Sequence, residues 1–353
     1  MRLRLLLMLW LASCVLSGSA VRAAGCDAEG KVKFICGVIA PEDIIAVPRS
    51  NWVIASGYTA GGALHLINTR DYTPRQVFPT ATPRLRLDTK TYASCPGPLD
   101  PAEKEKFSAH GLNLRPGAES VHTVYVVHHG FRESVEIFEI DTKSSTPTFT
   151  WIGCVVAPET VSMNSVSPVP EGGFAVTNIV RRNLPNVQEL MRNGGNTGEV
   201  WEWHPREGWK MVPESESPAP NGIEVSKDGK WYYVNLWSVG KVMRMSRGQT
   251  PAKKDFVDVD FHPDNIRWQP DGSLYTAGQG ASTPQRISEC LNKFCADATT
   301  NVARIDPQTL KARQIIRDSN KEQFISSTTG LQVGKEIWLG TSHSDRIARY
   351  PAP

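Results

Sequence analysis

Beyond residue 16 the chain has no apolar run long enough to cross a bilayer. It has no Cys-x-x-Cys and no cysteine–histidine cluster, which argues against a metal centre built on its cysteines. It has no Gly-x-Ser-x-Gly elbow, which argues against a serine hydrolase. Helix-length amphipathic stretches are scarce, whereas Pro and Gly number 25 and 28, a balance that favours an all-β chain. Nor is there a basic excess. The formal charge is +3, but Arg2, Arg4 and Arg22 lie in or beside an N-terminal leader, and subtracting those three leaves the remainder neutral. A phosphate backbone demands positive charge, so nucleic acid is not an expected partner.

The start of the chain reads as a secretory leader. Arg2 and Arg4 precede an apolar stretch over residues 5–16, followed by small residues at Gly18-Ser19-Ala20 and Val21-Arg22-Ala23. We expect residues 1–23 to be a signal peptide and the product to be exported, periplasmic or extracellular, with a single domain over residues 24–353. Leu11-Ala12-Ser13-Cys14 also resembles a lipobox. On that reading Cys14 carries a lipid and ties the protein to a membrane; on the other it is one residue of the apolar stretch. The remaining cysteines, Cys26, Cys36, Cys95, Cys154, Cys290 and Cys295, are even in number, which suits disulfides in an exported chain. Cys26 with Cys36 and Cys290 with Cys295 are the nearest neighbours, but the sequence leaves the connectivity open.

The most regular stretch is Ala219-Pro220-Asn221-Gly222-Ile223-Glu224-Val225-Ser226-Lys227-Asp228-Gly229-Lys230, continuing through Trp231-Tyr232-Tyr233-Val234-Asn235 and Lys241-Val242-Met243-Arg244-Met245. It reads as strand, Asp-Gly turn, strand, turn, strand, an antiparallel meander. Looser copies recur along the chain, and no linker divides them. They open at Glu42, His110, Asn164, Asn221, Asp264 and about Ser327. Their spacing is uneven because of an excursion over residues 69–106 and insertions at 181–198 and 280–300. Six such units predict an all-β six-bladed β-propeller with four-stranded antiparallel blades. Val135 to Asp141 shows clean apolar/polar alternation, and residues 186–191 read as one or two helical turns.

In a propeller the innermost strand of each blade lines the central channel, so equivalent positions form a ring. That ring would gather Glu42, Asn164, Asn221 and Asp264, with Asn265 beside it. Singly, Asn-Gly and Asp-Asn are ordinary turn formers; together they place oxygen-bearing side chains at one point of several repeats. Two carboxylates and three amide carbonyls, with no soft atom, suit Ca²⁺ better than zinc or copper.

Pro41-Glu42-Asp43, Ala109-His110-Gly111-Leu112, Val126-Val127-His128-His129, Met163-Asn164-Ser165, Asn221-Gly222-Ile223 and Asp264-Asn265-Ile266 follow one another in an order that resembles the paraoxonase/arylesterase family, within the wider group of gluconolactonase-like six-bladed propellers. The resemblance spans roughly residues 40–350 and implies a calcium-dependent lactonase or arylesterase. By that resemblance Glu42, Asn164, Asn221, Asp264 and Asn265 match the ligands of a catalytic calcium. His110 matches the base that draws a proton from water, with His129 as its partner, while the ion polarises the carbonyl of a small lactone or ester. Asp43 and the backbone at Leu112 match ligands of a second, structural calcium, but Ser165 stands where the family has an Asp. Gln279 replaces a further pocket histidine. The family's disulfide between chain start and chain end is missing, since no cysteine follows Cys295. Insertion 181–198 is expected over the channel mouth. His65, His122, His204, His262 and His343 receive no role. The alternatives are a related propeller with other chemistry, such as a sugar lactonase or a strictosidine-synthase-like enzyme, and a binding propeller without catalysis.

Overall fold

A computed structural model describes residues 25–281 and 283–353. The leader and Cys14 lie outside the described residues. Six small antiparallel sheets form a ring, and their first strands touch one another in cyclic order, the sixth returning to the first. Blade 1 comprises Ile44–Ala46, Trp52–Ala55, Leu64–Asn68 and Pro74–Phe78; blade 2 comprises Ser108–Arg115, Val121–His129, Ser134–Asp141 and Thr148–Val156. Blades 3, 4 and 5 begin with Met163–Pro168, Pro220–Val225 and His262–Trp268, each on the channel. Blade 6 begins with Ser327–Val333 and continues through Glu336–Thr341 and Arg346–Pro351.

The ring closes in a way that the repeat pattern did not disclose. The outer strand of blade 6 is Lys33–Cys36, from the beginning of the chain, paired antiparallel with Arg346–Pro351. A disulfide joins Cys26 to Cys36 at the end of this closing strand. Cys290 is joined to Cys295, the other neighbouring pair, and Cys95 to Cys154. The excursion at 69–106 is less irregular than expected. It holds the fourth strand of blade 1 and a two-residue strand, Arg84–Leu85, which adds a fifth, parallel member to blade 2. Pro74 opens an outermost strand, a place where a missing N–H costs no ladder bond.

Burial follows from sheets packed face to face around a ring. Ser134–Asp141 alternates in sequence, yet nearly all of it is buried, because each side of a blade meets a neighbouring blade. Glu136 survives there through its partners. Arg132 donates to both its oxygens at 2.8 and 2.9 Å, and the indole of Trp151 adds a bond at 2.7 Å. Between blades 1 and 2, Phe78 packs edge-on against Phe107 and Phe138, with ring centroids 5.1 and 5.0 Å apart. Truncating a ring so placed costs about 3–5 kcal/mol.

Candidate active site and metal centre

One local irregularity, repeated round the ring, builds the site. The ladder between first and second strands slips at Ala109/Leu112, Met163/Val166, Pro220/Ile223, Pro263/Ile266 and Ser327/Gly330. At each slip two residues face one on the partner strand, a β-bulge, which re-aims side chains. The first residue of each bulge is His110, Asn164, Asn221, Asp264 or Thr328, and all five line one cavity together with Glu42. The sixth opener is therefore Thr328 rather than Ser327. Neighbouring first strands approach closely here. A Cβ on Gly111 would lie 2.4 Å from the Asn164 carbonyl oxygen, and one on Gly222 would lie 2.6 Å from the Asn265 Cα; only glycine fits at either place.

All five expected oxygen donors converge, and all are buried. Asn265 Nδ2 donates to Glu42 Oε1 at 2.6 Å, and Gln279 Nε2 donates to Asp264 Oδ2 at 2.8 Å. Four oxygens at the centre have no hydrogen-bond partner: Glu42 Oε2 and the Oδ1 atoms of Asn164, Asn221 and Asn265. Orphaned buried acceptors are rare, because each forfeits its hydration without return. Burial, with the charges of Asp264 and Asp43 adding to it, pushes the Glu42 carboxyl well above its ordinary range. Burial likewise raises Asp264 to about 7. Acidic groups and amide oxygens gathered in this way would suit a hard metal ion, and the residue types fit calcium.

The histidine pair stands at the edge of this cluster. His110 Nδ1 lies 2.9 Å from His129 Nε2, and His129 Nδ1 lies 2.9 Å from Glu133 Oε2. Glu133 also accepts the Met163 backbone N–H at 2.7 Å and Arg182 Nη2 at 3.0 Å. A carboxylate so engaged is an acceptor, so His129 Nδ1 carries the proton and its Nε2 accepts one from His110 Nδ1. His110 Nε2 is then left bare on the cavity side, 3.8 Å from Glu42 Oε1. Burial holds the His110 imidazole well below the usual histidine range, and any positive charge on His129 would push the same way. Tyr58 covers it, its ring stacked on His110 at 3.8 Å with planes 8° apart. His128 does not join the pair. It is fully buried against Phe107 and Phe131 and bonds the Arg132 carbonyl at 2.9 Å.

No protein-family model matches the sequence, and a search of curated proteins finds no match. Solved structures do match. A luciferin-regenerating enzyme aligns with a TM-score of 0.54 at 11% identity, over 90% of this chain and 94% of its own. A gluconolactonase from Xanthomonas campestris aligns with a TM-score of 0.53 at 12% identity, over 91% and 89%. The fold is that of the gluconolactonase-like six-bladed propellers. At these identities the likeness is one of architecture.

In this six-bladed propeller the two insertions wall the cavity, which measures about 610 Å³. The helical turns expected at 186–191 form α1, Val187–Arg192, which lends Gln188, Met191 and Arg192 to one wall. A second short helix, α2, Pro284–Cys290, lies in the other insertion and, with Leu291 just beyond it, faces the same space. Gln279 ties the oxygen cluster to the wall. Its amide holds Asp264 and the Ser327 carbonyl, at 2.8 and 2.7 Å, while its oxygen accepts the Trp237 indole N–H at 3.0 Å. Tyr58, Glu133 and Trp237 were not singled out from sequence, since each gains its meaning from a partner in a different strand or loop. His262 and His343, given no role, also border the cavity.

Proposed function

We propose that the protein is a calcium-dependent hydrolase of lactones or esters, of the lactonase/arylesterase type, acting on a small molecule after export. One observation carries this reading: Glu42, Asn164 and Asn221, each with a partnerless buried oxygen, line one cavity with the bare Nε2 of His110, and Asn265, bonded to Glu42, carries a fourth such oxygen. Glu42, Asn164, Asn221, Asp264 and Asn265 would hold the ion. Bound there, calcium supplies polarisation of a carbonyl and stabilises negative charge growing on its oxygen. His110 Nε2 takes a proton from the attacking water. His129 keeps the His110 Nδ1–H directed away from the cavity, and Glu133 shares the positive charge that follows. The stacked face of Tyr58 keeps solvent from the imidazole. Ile179, Met191, Leu291 and Trp237 give the wall an apolar face, which favours alkyl or aryl substituents over a polyhydroxylated ring. The three disulfides suit the oxidising compartment of an exported protein.

The test is hydrolysis of a panel of alkyl-substituted, aryl and sugar lactones with and without EDTA. Turnover of the alkyl or aryl members, lost on chelation and restored by calcium, is the expected result. Undiminished turnover in EDTA rules out the metal, and no turnover of any member leaves a binding propeller.

A further inference from the structure

One layer beneath the oxygen cluster, the channel repeats its own pattern. Three positions past the start of each bulge in blades 2 to 5 stand Asn113, Ser167, Glu224 and Arg267, all buried. Arg267 is only 1% exposed, in the middle of the ring. Its guanidinium bonds the Asp43 carboxylate of blade 1 and donates to the Leu112 carbonyl of blade 2 at 2.5 Å. It also donates to the Ile266 carbonyl at 2.8 Å and faces Glu224 Oε1 of blade 4 at 3.4 Å. The remaining valences of the two acids are filled. Asp43 accepts the backbone N–H groups of Leu112 and Ile44 at 2.8 and 2.9 Å and the Thr329 hydroxyl at 2.9 Å. Glu224 accepts Asn113 Nδ2 and the Ser167 hydroxyl, both at 3.2 Å.

Asp43 and Leu112 are the very residues that the family resemblance offers to a second calcium, and here a guanidinium already holds both. A planar fork matches a carboxylate and a carbonyl side by side, carries permanent charge and tolerates burial better than an ammonium. We propose that Arg267 is a built-in replacement for a second hub cation, so that the chain takes up one divalent ion and the centre of the ring holds together without another. The inference rests on the oxygen cluster above being a cation site. Ser165, where the family has an acid, fits the same account: with the charge supplied by a side chain, a third carboxylate would be in surplus.

The experiment is the calcium content per chain of the purified exported protein after equilibration with calcium chloride and gel filtration, paired with thermal melts in calcium and in EDTA. The wild type should carry one ion. Arg267→Ala empties the fork but leaves Asp43, Glu224 and the Leu112 carbonyl, so it should carry two ions and depend on calcium for stability more steeply than the wild type. Two ions in the wild type overturn the inference and leave the upper site standing. A folded Arg267→Ala protein with one ion, melting in parallel with the wild type across calcium, overturns it as well. No ion in the wild type removes both this inference and the metal in the proposed function. If Arg267→Ala does not fold, the wild-type content still decides.

Discussion

Glu133 Oε2 lies 2.9 Å from His129 Nδ1, and this one contact orders the protons of the pair down to His110. Glu133→Gln keeps the shape but removes the charge and the obligatory acceptor. It should lower kcat roughly 10–100-fold, a share of what general-base catalysis contributes, with little change in KM, and Glu133→Asp should recover part of the loss. Steady-state kinetics on a lactone that the wild type turns over would show it. A rise in KM at constant kcat would make Glu133 a wall residue instead.

The base must be unprotonated to act, and His110 is held below the ordinary histidine value of about 6.5. The acid limb of kcat/KM should therefore lie below that pH, the enzyme retaining activity where an exposed histidine would be mostly protonated. An acid limb at or above 6.5 would remove His110 as the free-enzyme base. His110→Gln should cost about 10²–10⁴-fold in turnover while calcium uptake is kept.

Four of the openers, Glu42, Asn164, Asn221 and Asp264, were legible because an oxygen-bearing residue precedes a short apolar strand again and again, as at Asn164-Ser165-Val166 and Asp264-Asn265-Ile266. The bulge that turns those residues inward was not, since a two-against-one mismatch exists only relative to the paired strand. Arg267 looks in sequence like any exposed strand residue, and its burial makes sense only with Asp43, more than half the chain away. The closing strand escaped notice for the same reason: Phe34 pairs with Ala348, and no local pattern announces so distant a neighbour.

If the hub holds calcium, the ion should stabilise the folded chain by an amount that grows with the logarithm of its concentration above the dissociation constant. At a hundred times the dissociation constant the gain is about 2.7 kcal/mol, read as a rise in melting temperature across a calcium titration. Glu42→Gln removes one of the two charged donors and should flatten that titration. If the variant responds as steeply as the wild type, the ion sits elsewhere.

α1 has no buried residue, so deleting residues 184–195 should cost little stability but remove Met191 and Arg192 from the cavity wall. The expected outcome is a changed ranking of lactone substrates at a nearly unchanged melting temperature. An unaltered ranking would mean that the insertion does not touch the substrate.

His128 supplies a pH test independent of catalysis. Burial pushes its imidazole down to about 3, whereas in the unfolded chain it titrates near 6.5. Between those values the unfolded state binds the extra proton, so this group's contribution to stability falls as pH drops below about 6.5, by about 1.4 kcal/mol per unit. His128→Gln keeps a donor for the Arg132 carbonyl and should make the acid side of the stability curve shallower by that amount in denaturant titrations. Parallel curves would show that the imidazole is already charged in the folded protein.

The strand Lys33–Cys36, sewn to the last blade at the opposite end of the polypeptide, has a consequence for timing. Glu42 follows it by a few residues, whereas Asp264 and Asn265 open the fifth blade, four blades later, and only the closed ring holds these oxygens around one hub. On the proposed reading, uptake of the hub cation would therefore report that the circle has been completed.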